Sequence, residues 1–427
     1  MPAKFNAAES LPPELRRRAD DANWLVDTIC RKTDQGKADY EGDVRLHSGI
    51  LRRFMRDGPA VVRGLVNAGD LEQSSSYRVG HWPKGYRLTE KHRSGRREWV
   101  QARNASFIRR YQRESTRLHE EEAKKLWLPI DYRLFAMQRN LTIGEGTDAI
   151  LETIEPDDRP NQARLLEHIR RGASAYSIGA TGRRFNAITQ MAKVLRPCLR
   201  LAGERIVGLD VRATQPALLG TLIELGVKGK TCNIILSALV SRLREIEAPV
   251  PRCRRWTGLP GLEAAVSAPR PGPDFEVYLE AVDNDLYNDL VRRCMEREID
   301  LGADPAARRS RAKHLMMQDI LGRRGWYHSS FQGVFEEAFP TVLRFARHIQ
   351  KAGHGDRWHG ELIRVLQRLE SWLVVEQVAP VLVDRGVLVV TLHDEFYIRE
   401  RDTPIARSVF ADVCGRLGLE HLHLKEK

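Results

Sequence analysis

Across 427 residues the sequence offers no uncharged apolar run of the roughly 18 residues that a membrane-spanning helix needs. The best candidate, Leu373 to Val383, is interrupted by Glu376 and Gln377. A secretory leader is not expected either, since Glu9 and Pro12–Pro13 stand where its apolar segment would be. The expectation is a cytoplasmic protein with no membrane partner. The six cysteines are Cys30, Cys198, Cys232, Cys253, Cys294 and Cys414, and none forms a CxxC pair. That argues against a structural zinc site or a disulfide framework and for reduced, buried thiols. Internal repeats and low-complexity tracts are also lacking.

What is abundant is positive charge. The formal net charge is +12, and a basic excess of that size points to a polyanion, most commonly nucleic acid. Between Lys84 and Arg117 the basic residues, Arg109, Arg110 and Arg113 among them, alternate with Tyr86, Trp99, Phe107 and Tyr111. Cations can neutralise phosphates while flat rings stack on bases, although a solvated helical face has the same composition. Helical spacing is expected over Leu15–Cys30 and Val44–Arg56, and alternation around Pro83 and Gly85 suggests a hairpin over Ser76–Thr89. Helices followed by a basic hairpin fit a winged-helix-like module. The polar stretch Glu155–Asn161 reads as a linker, and six prolines between Ala248 and Asp274 disfavour regular structure there.

Three segments are candidates to carry chemistry, although taken singly they also fit a helix-flanking aspartate, a basic surface helix and a plain surface turn. In the first, the apolar strand Ile206–Leu209 delivers Asp210, and Pro216 then opens a helix over Ala217–Leu225. In the second, Asp304 and Pro305 start a helix that Gly322 can close. Arg309, Lys313, Met317 and Leu321 recur every four residues along it, so that two cations precede two apolar side chains on one stripe. In the third, Val387–Ile398 reads as a β-hairpin with His393, Asp394 and Glu395 at its turn, where exposed acids are placed to hold a divalent cation.

Taken in order, these segments resemble the signature motifs of family A DNA polymerases and the phage-type single-subunit RNA polymerases. Arg309, Lys313 and Gly322 meet the Arg-x3-Lys-x8-Gly spacing of that family's fingers helix. Thr181-Gly182-Arg183 resembles its TGR element, and Gln367, on the helix expected over Glu361–Val375, resembles its minor-groove glutamine. The resemblance covers roughly residues 175 to 427.

It implies an α+β, right-hand polymerase fold with an antiparallel palm sheet and helical fingers, after a mostly helical N-terminal module. The expected divisions are 1–170 for that module (thumb-like or winged-helix-like), 171–230 and 331–427 for the palm, and 231–330 for the fingers. It also implies two-metal phosphoryl transfer, with Mg²⁺, or Mn²⁺ in its place, held by Asp210 and Asp394 and supported by Glu395. Arg309 and Lys313 would grip a nucleoside triphosphate, and Lys313 would protonate the pyrophosphate. Met317, Leu321 and Gln215 would line the nucleotide site, while Arg183, Gln367 and His393 would contact primer–template DNA or RNA. The sequence departs from the family at Met317 and Leu321, where aromatics are usual, and at Gln215, where DNA polymerases place Glu and RNA polymerases Gly. Gln215 tilts the expectation toward deoxynucleotides. No 3′–5′ exonuclease is expected. A primase or RNA polymerase starting de novo, a template-independent transferase and a catalytically silent nucleic-acid-binding protein are the alternatives.

Overall fold

The computed structural model describes residues 1–34, 38–39, 41–74, 83–93, 98, 100–156, 158–172, 176–179, 181–227, 264–265, 268, 272–322, 328–352, 360–419 and 421–426. Helices and antiparallel strands are combined, so the fold class is α+β. The chain divides into two compact units, Met1–Lys124 and Lys125–Lys427. No helix among the described residues is long and apolar enough to cross a membrane. The four cysteines described, Cys30, Cys198, Cys294 and Cys414, are buried. Cys232 and Cys253 lie outside the described residues, as does most of the proline-rich stretch.

The N-terminal unit begins with α1 (Ala7–Ser10) and α2 (Ala19–Asp34), followed by β1 (Val44–Arg45), α3 (Ser48–Phe54) and α4 (Gly58–Asn67). Next come β2 (Leu71–Gln73), β3 (Gly85–Leu88), α5 (Glu90–Arg93) and α6 (Ala105–Leu126), the last of which runs past the unit's end. The strands form an antiparallel sheet in the order β1-β3-β2. The expected helix over Val44–Arg56 is therefore split. Val44, β-branched and fully buried, pairs with Tyr86, and helix starts only at Ser48, capped by the His47 ring on Gly49 N. Of the expected hairpin over Ser76–Thr89, residues 76–82 lie outside the described residues, and β3 pairs back with β2. Leu25, Val26, Ile29, Val61, Val62, Leu65 and Leu88 form one apolar core beneath the sheet.

The C-terminal unit opens with α7 (Pro129–Met137), β4 (Leu141–Ile143), α8 (Thr147–Glu152) and α9 (Arg159–Arg170). A hairpin of β5 (Tyr176–Ile178) and β6 (Arg184–Asn186) follows, then β7 (Leu199–Leu201), β8 (Glu204–Val211) and α10 (Thr214–Val227). Helices α11 (Asp274–Asn284), α12 (Leu286–Glu296), α13 (Pro305–Leu315), α14 (Ser330–Ala338), α15 (Pro340–Ala352) and α16 (Glu361–Ser371) come next. The chain continues through α17 (Ala379–Asp384), β9 (Val389–Leu392), β10 (Glu395–Arg399), α18 (Thr403–Leu417) and β11 (Leu424–Glu426). The sheet is ordered β4-β7-β8-β10-β9, with β11 also pairing β8. Leu209 and Val211 on one face of β8 join a large core built with α10, α11, α15 and α16.

The expected boundary near residue 170 does not coincide with the division at Lys124. The reason is hydrogen bonding. β4 pairs with β7, so residues 141–143 are part of the main sheet. In α7, Asp131 accepts from Arg184 Nε at 2.8 Å and Arg184 Nη2 at 3.1 Å, and from the Tyr176 hydroxyl at 2.7 Å. Asp131 is 0% exposed and Arg184 4%. Within the polar stretch 155–161, α9 already begins at Arg159.

Removing one member of a buried ion pair leaves the other charged and unsolvated, at a cost of about 3–5 kcal/mol. Asp131→Ala should lower stability by that amount in urea titration of the full chain. A loss no larger than the roughly 1 kcal/mol of a surface pair would show that this network does not anchor residues 125–170.

Candidate active site

β8 and β10 run antiparallel with the Cα atoms of Asp210 and Glu395 directly opposed. One residue on, Val211 N donates to Asp394 O at 3.0 Å. The tight β9–β10 turn, closed by the Leu392–Glu395 pair, leaves His393 and Asp394 at its tip. That register brings the two predicted carboxylates, Asp210 and Asp394, to the same end of two neighbouring strands, both half-buried. Two non-glycine residues beside them occupy the left-handed region, Ala213 at φ 46 and His393 at φ 57. Such conformations cost energy and persist only where surrounding structure dictates them, commonly at functional sites. The Thr214 hydroxyl lies 2.7 Å from Val211 O and 2.9 Å from Asp394 Oδ2, and can donate to one of them at a time.

Glu395 lies on the same face but deeper. A Cβ at Gly208 would lie 2.6 Å from Glu395 Oε1, so glycine at 208 makes room for this acid. Arg196 reaches Glu395 at 3.6 Å and donates to the Tyr397 hydroxyl at 3.3 Å. Glu395 therefore sits behind the aspartate pair, in contact with an arginine.

The Thr181-Gly182-Arg183 loop is docked on the C-terminal end of α16. Arg183 Nε and Nη2 donate to the two carboxylate oxygens of Glu370 at 2.9 and 2.8 Å. The Ser371 hydroxyl donates to Gly182 O at 2.6 Å, and Gly182 itself turns at φ 76. Gln215 Nε2 donates to the same Glu370 carboxylate. Glu370, 0% exposed, thus ties the loop, α10 and α16 together. The expectation for Arg183 and Gln215 did not include this acid. Gln215 is buried with its amide engaged, so it is not an open wall of a sugar pocket here. Gln367 is half-buried one helical turn before Glu370.

The basic helix departs from a straight stripe. After α13 the chain widens into a π-helical segment, Met316–Leu321. Arg309 is half-buried, Lys313 exposed and Met317 half-buried against the core. Leu321, expected to line the nucleotide site, is instead 0% exposed within the core, because the wider turn rotates it inward. Gly322 ends the segment, where a Cβ would lie 2.9 Å from Met317 O. Arg309 Nε donates to Asp285 Oδ2 at 3.1 Å, and its guanidinium lies 5.3 Å from the Tyr287 ring centre. Burial raises the Tyr287 hydroxyl pKa; the negative charges of Asp285, Asp394 and Asp210 push the same way, and Arg309 opposes them. Tyr287 thus packs on Arg309 at the start of the basic helix α13. Sequence reasoning missed it together with Asp285, Thr214, Glu370 and Ser371. An acid at Glu370 on an otherwise apolar helical face was a readable signal, whereas Asp285 and Tyr287 sit in an ordinary helix start.

In the N-terminal unit the three candidate arginines have different environments. Arg110 is only 11% exposed and bonds Asp21 and Phe54 O. It is a structural arginine, withdrawn from any ligand by its buried partner. Arg109 and Arg113 are exposed, and Arg113 touches Glu114 at 3.1 Å. Among the described residues, one group of three acids lies close enough to share a cation: Asp39, Glu41 and Asp43. Arg45 lies 2.7 Å from Asp39 and 3.6 Å from Glu41, so the group already has a positive partner.

No protein-family model matches this chain, and no curated protein matches it.

Two titrations follow from the site. Burial raises the Glu370 carboxyl pKa to about 7, with Asp394 adding to it and Arg183 and Gln215 opposing. Burial, with Arg183 beside it, lowers the His393 imidazole pKa to about 4. For Glu370 the folded state holds the proton more tightly, so its contribution is complete below about pH 4.5 and is lost as pH rises through 7. For His393 the sign is opposite. Its neutral form is favoured by folding, and the contribution is complete above about pH 6.5 and lost as pH falls toward 4. Between pH 5 and 6.5, Glu370→Gln should therefore make stability rise more steeply with pH, by at most roughly 1.4 kcal/mol per pH unit. His393→Asn should flatten that rise. Urea midpoints across this range check both, and slopes unchanged from the parent chain would contradict the assignments.

Proposed function

We propose that the chain is a template-directed nucleotidyltransferase of the right-hand type, adding deoxynucleotides to a primer 3′ end. One observation carries the reading. Asp210 and Asp394, distant in sequence, lie at the same end of two paired strands, and Arg309 of the basic helix stacks on Tyr287. On this reading the β4–β11 sheet is the palm and α11–α13 belong to the fingers.

The donor set suits a hard divalent cation, since it consists of carboxylate oxygens on half-buried strand-end residues with no thiol or imidazole ligand. Bound there, Mg²⁺ would supply charge neutralisation for the attacking hydroxyl and the departing pyrophosphate. The remaining chemistry falls to the chain's own groups. Thr214 positions the Asp394 carboxylate by a hydrogen bond. Lys313, exposed one turn beyond Arg309, meets the triphosphate and donates a proton to the leaving pyrophosphate. Arg309, oriented by Asp285 and the Tyr287 face, adds the second positive charge. His393, neutral at pH 7, offers a hydrogen bond to the primer end, and Arg183 and Gln367 face the duplex. With Gln215 turned to Glu370, no sugar gate is assigned to it.

Labelled dNTP and rNTP incorporation, with and without template and primer, tests the proposal. Primer- and template-dependent dNTP incorporation is expected, and Asp210→Ala and Asp394→Ala should each reduce it to background while leaving primer–template affinity within about threefold. Near-parental incorporation by either variant in Mg²⁺ would remove that residue from the chemistry. Template-independent incorporation would assign the same site to a terminal transferase.

A further inference from the structure

We infer that α3 and α4 form a helix-turn-helix whose second helix enters the major groove of duplex DNA, a binding surface beyond the proposed catalytic site and independent of it. The topology is the first argument. α3 (Ser48–Phe54) and α4 (Gly58–Asn67) are joined by a three-residue turn, Met55-Arg56-Asp57, and α4 packs against α2 and β2. The turn is made by Asp57 in the left-handed conformation, φ 56, with Gly58 next. Two helices joined by so short a turn have the connectivity of a helix-turn-helix, in which one face of the second helix reads the major groove.

The faces of α4 are the second argument. Val61, Val62 and Leu65 are buried, and Gly64 allows close approach to Leu11, whose Cδ2 a Cβ there would meet at 3.0 Å. The opposite stripe, Pro59, Arg63, Val66 and Asn67, is exposed. Its chemistry suits base edges: Arg for guanine O6 and N7, Asn for adenine N6 and N7, and an apolar Val for a thymine methyl.

Charge is the third. From Ser48 to Asn67 the chain carries Arg52, Arg53, Arg56 and Arg63 against a single acid, Asp57. Asp57 is neutralised by Arg18 at 2.9 Å. Arg52, Arg56 and Arg63 are exposed, which leaves cations along the same two helices for flanking phosphates. The partner is DNA rather than duplex RNA, because the A-form major groove is too deep and narrow to admit a helix.

The test uses the full chain and a dumbbell duplex, sealed at both ends by hairpins so that no 3′ terminus is offered. Fluorescence anisotropy should show salt-sensitive binding to dumbbell DNA and at least tenfold weaker binding to a dumbbell RNA of the same length. Combined Arg63→Glu and Asn67→Ala should weaken DNA-dumbbell binding roughly tenfold or more, with the urea midpoint unchanged because both side chains are exposed. Asp210→Asn should bind the dumbbell as the parent does. The inference is overturned if the double variant stays within twofold of the parent, if it loses RNA-dumbbell binding equally, or if Asp210→Asn abolishes dumbbell binding. Arg63-dependent dumbbell binding by a chain that incorporates no nucleotide would refute the polymerase proposal and leave this one standing.

Discussion

The antiparallel register of β8 against β10 is the constraint on which the candidate site depends. Side chains alternate faces along a strand, so a slip of one residue would send Asp210 into the apolar layer now held by Leu209 and Val211. Pairing Asp210 with Glu395, and Val211 N with Asp394 O, fixes the carboxylates at the sheet end. The register is enforced from both sides. Phe396 and Ile398 fill the core beside Leu209, while Gly208 leaves space for Glu395 on the other face. The two-residue turn accepts a histidine in the left-handed region to keep Asp394 at the tip.

Around that pair, the protein invests in buried ionic contacts that join separate elements. Glu370 holds Arg183 and Gln215, and Asp131 holds Arg184 and Tyr176. Because Arg183 and Arg184 are adjacent, the two carboxylates fix one loop from two helices, α16 and α7. Each carboxyl has lost its water and is compensated by two donors or more, so removing Arg184 would strand the Asp131 charge and removing Arg183 would leave Glu370 buried without its main partner. A site built this way trades stability for geometry, which fits a position where loop placement matters more than net free energy.

Local signals made much of this legible from sequence. The apolar runs around Asp210 and His393-Asp394 became β8, β9 and β10, and Asp304 caps α13 through Ala307 N. What escaped was long-range or depended on a change of helical pitch. The wider turn at Met316–Leu321 carries Leu321 off the expected stripe into the core, and no propensity rule flags such a turn. The structural role of Arg110 was invisible because its partner, Asp21, lies 89 residues earlier. The division at Lys124 was hidden for the same reason, since β4 joins the main sheet through β7, far along the chain. Glu370 was the most readable omission: an acid on the buried face of an amphipathic helix requires a partner.

On the proposed reading, Asp210 and Asp394 together hold the divalent cations of a phosphoryl-transfer site. The most direct measurement is a crystal structure of the full chain with primer–template, a non-hydrolysable dNTP and Mn²⁺, with the ions located by anomalous scattering. Two peaks about 4 Å apart are expected, coordinated by Asp210, Asp394 and the triphosphate. Mn²⁺ peaks at Asp39, Glu41 and Asp43 with none between Asp210 and Asp394 would contradict it.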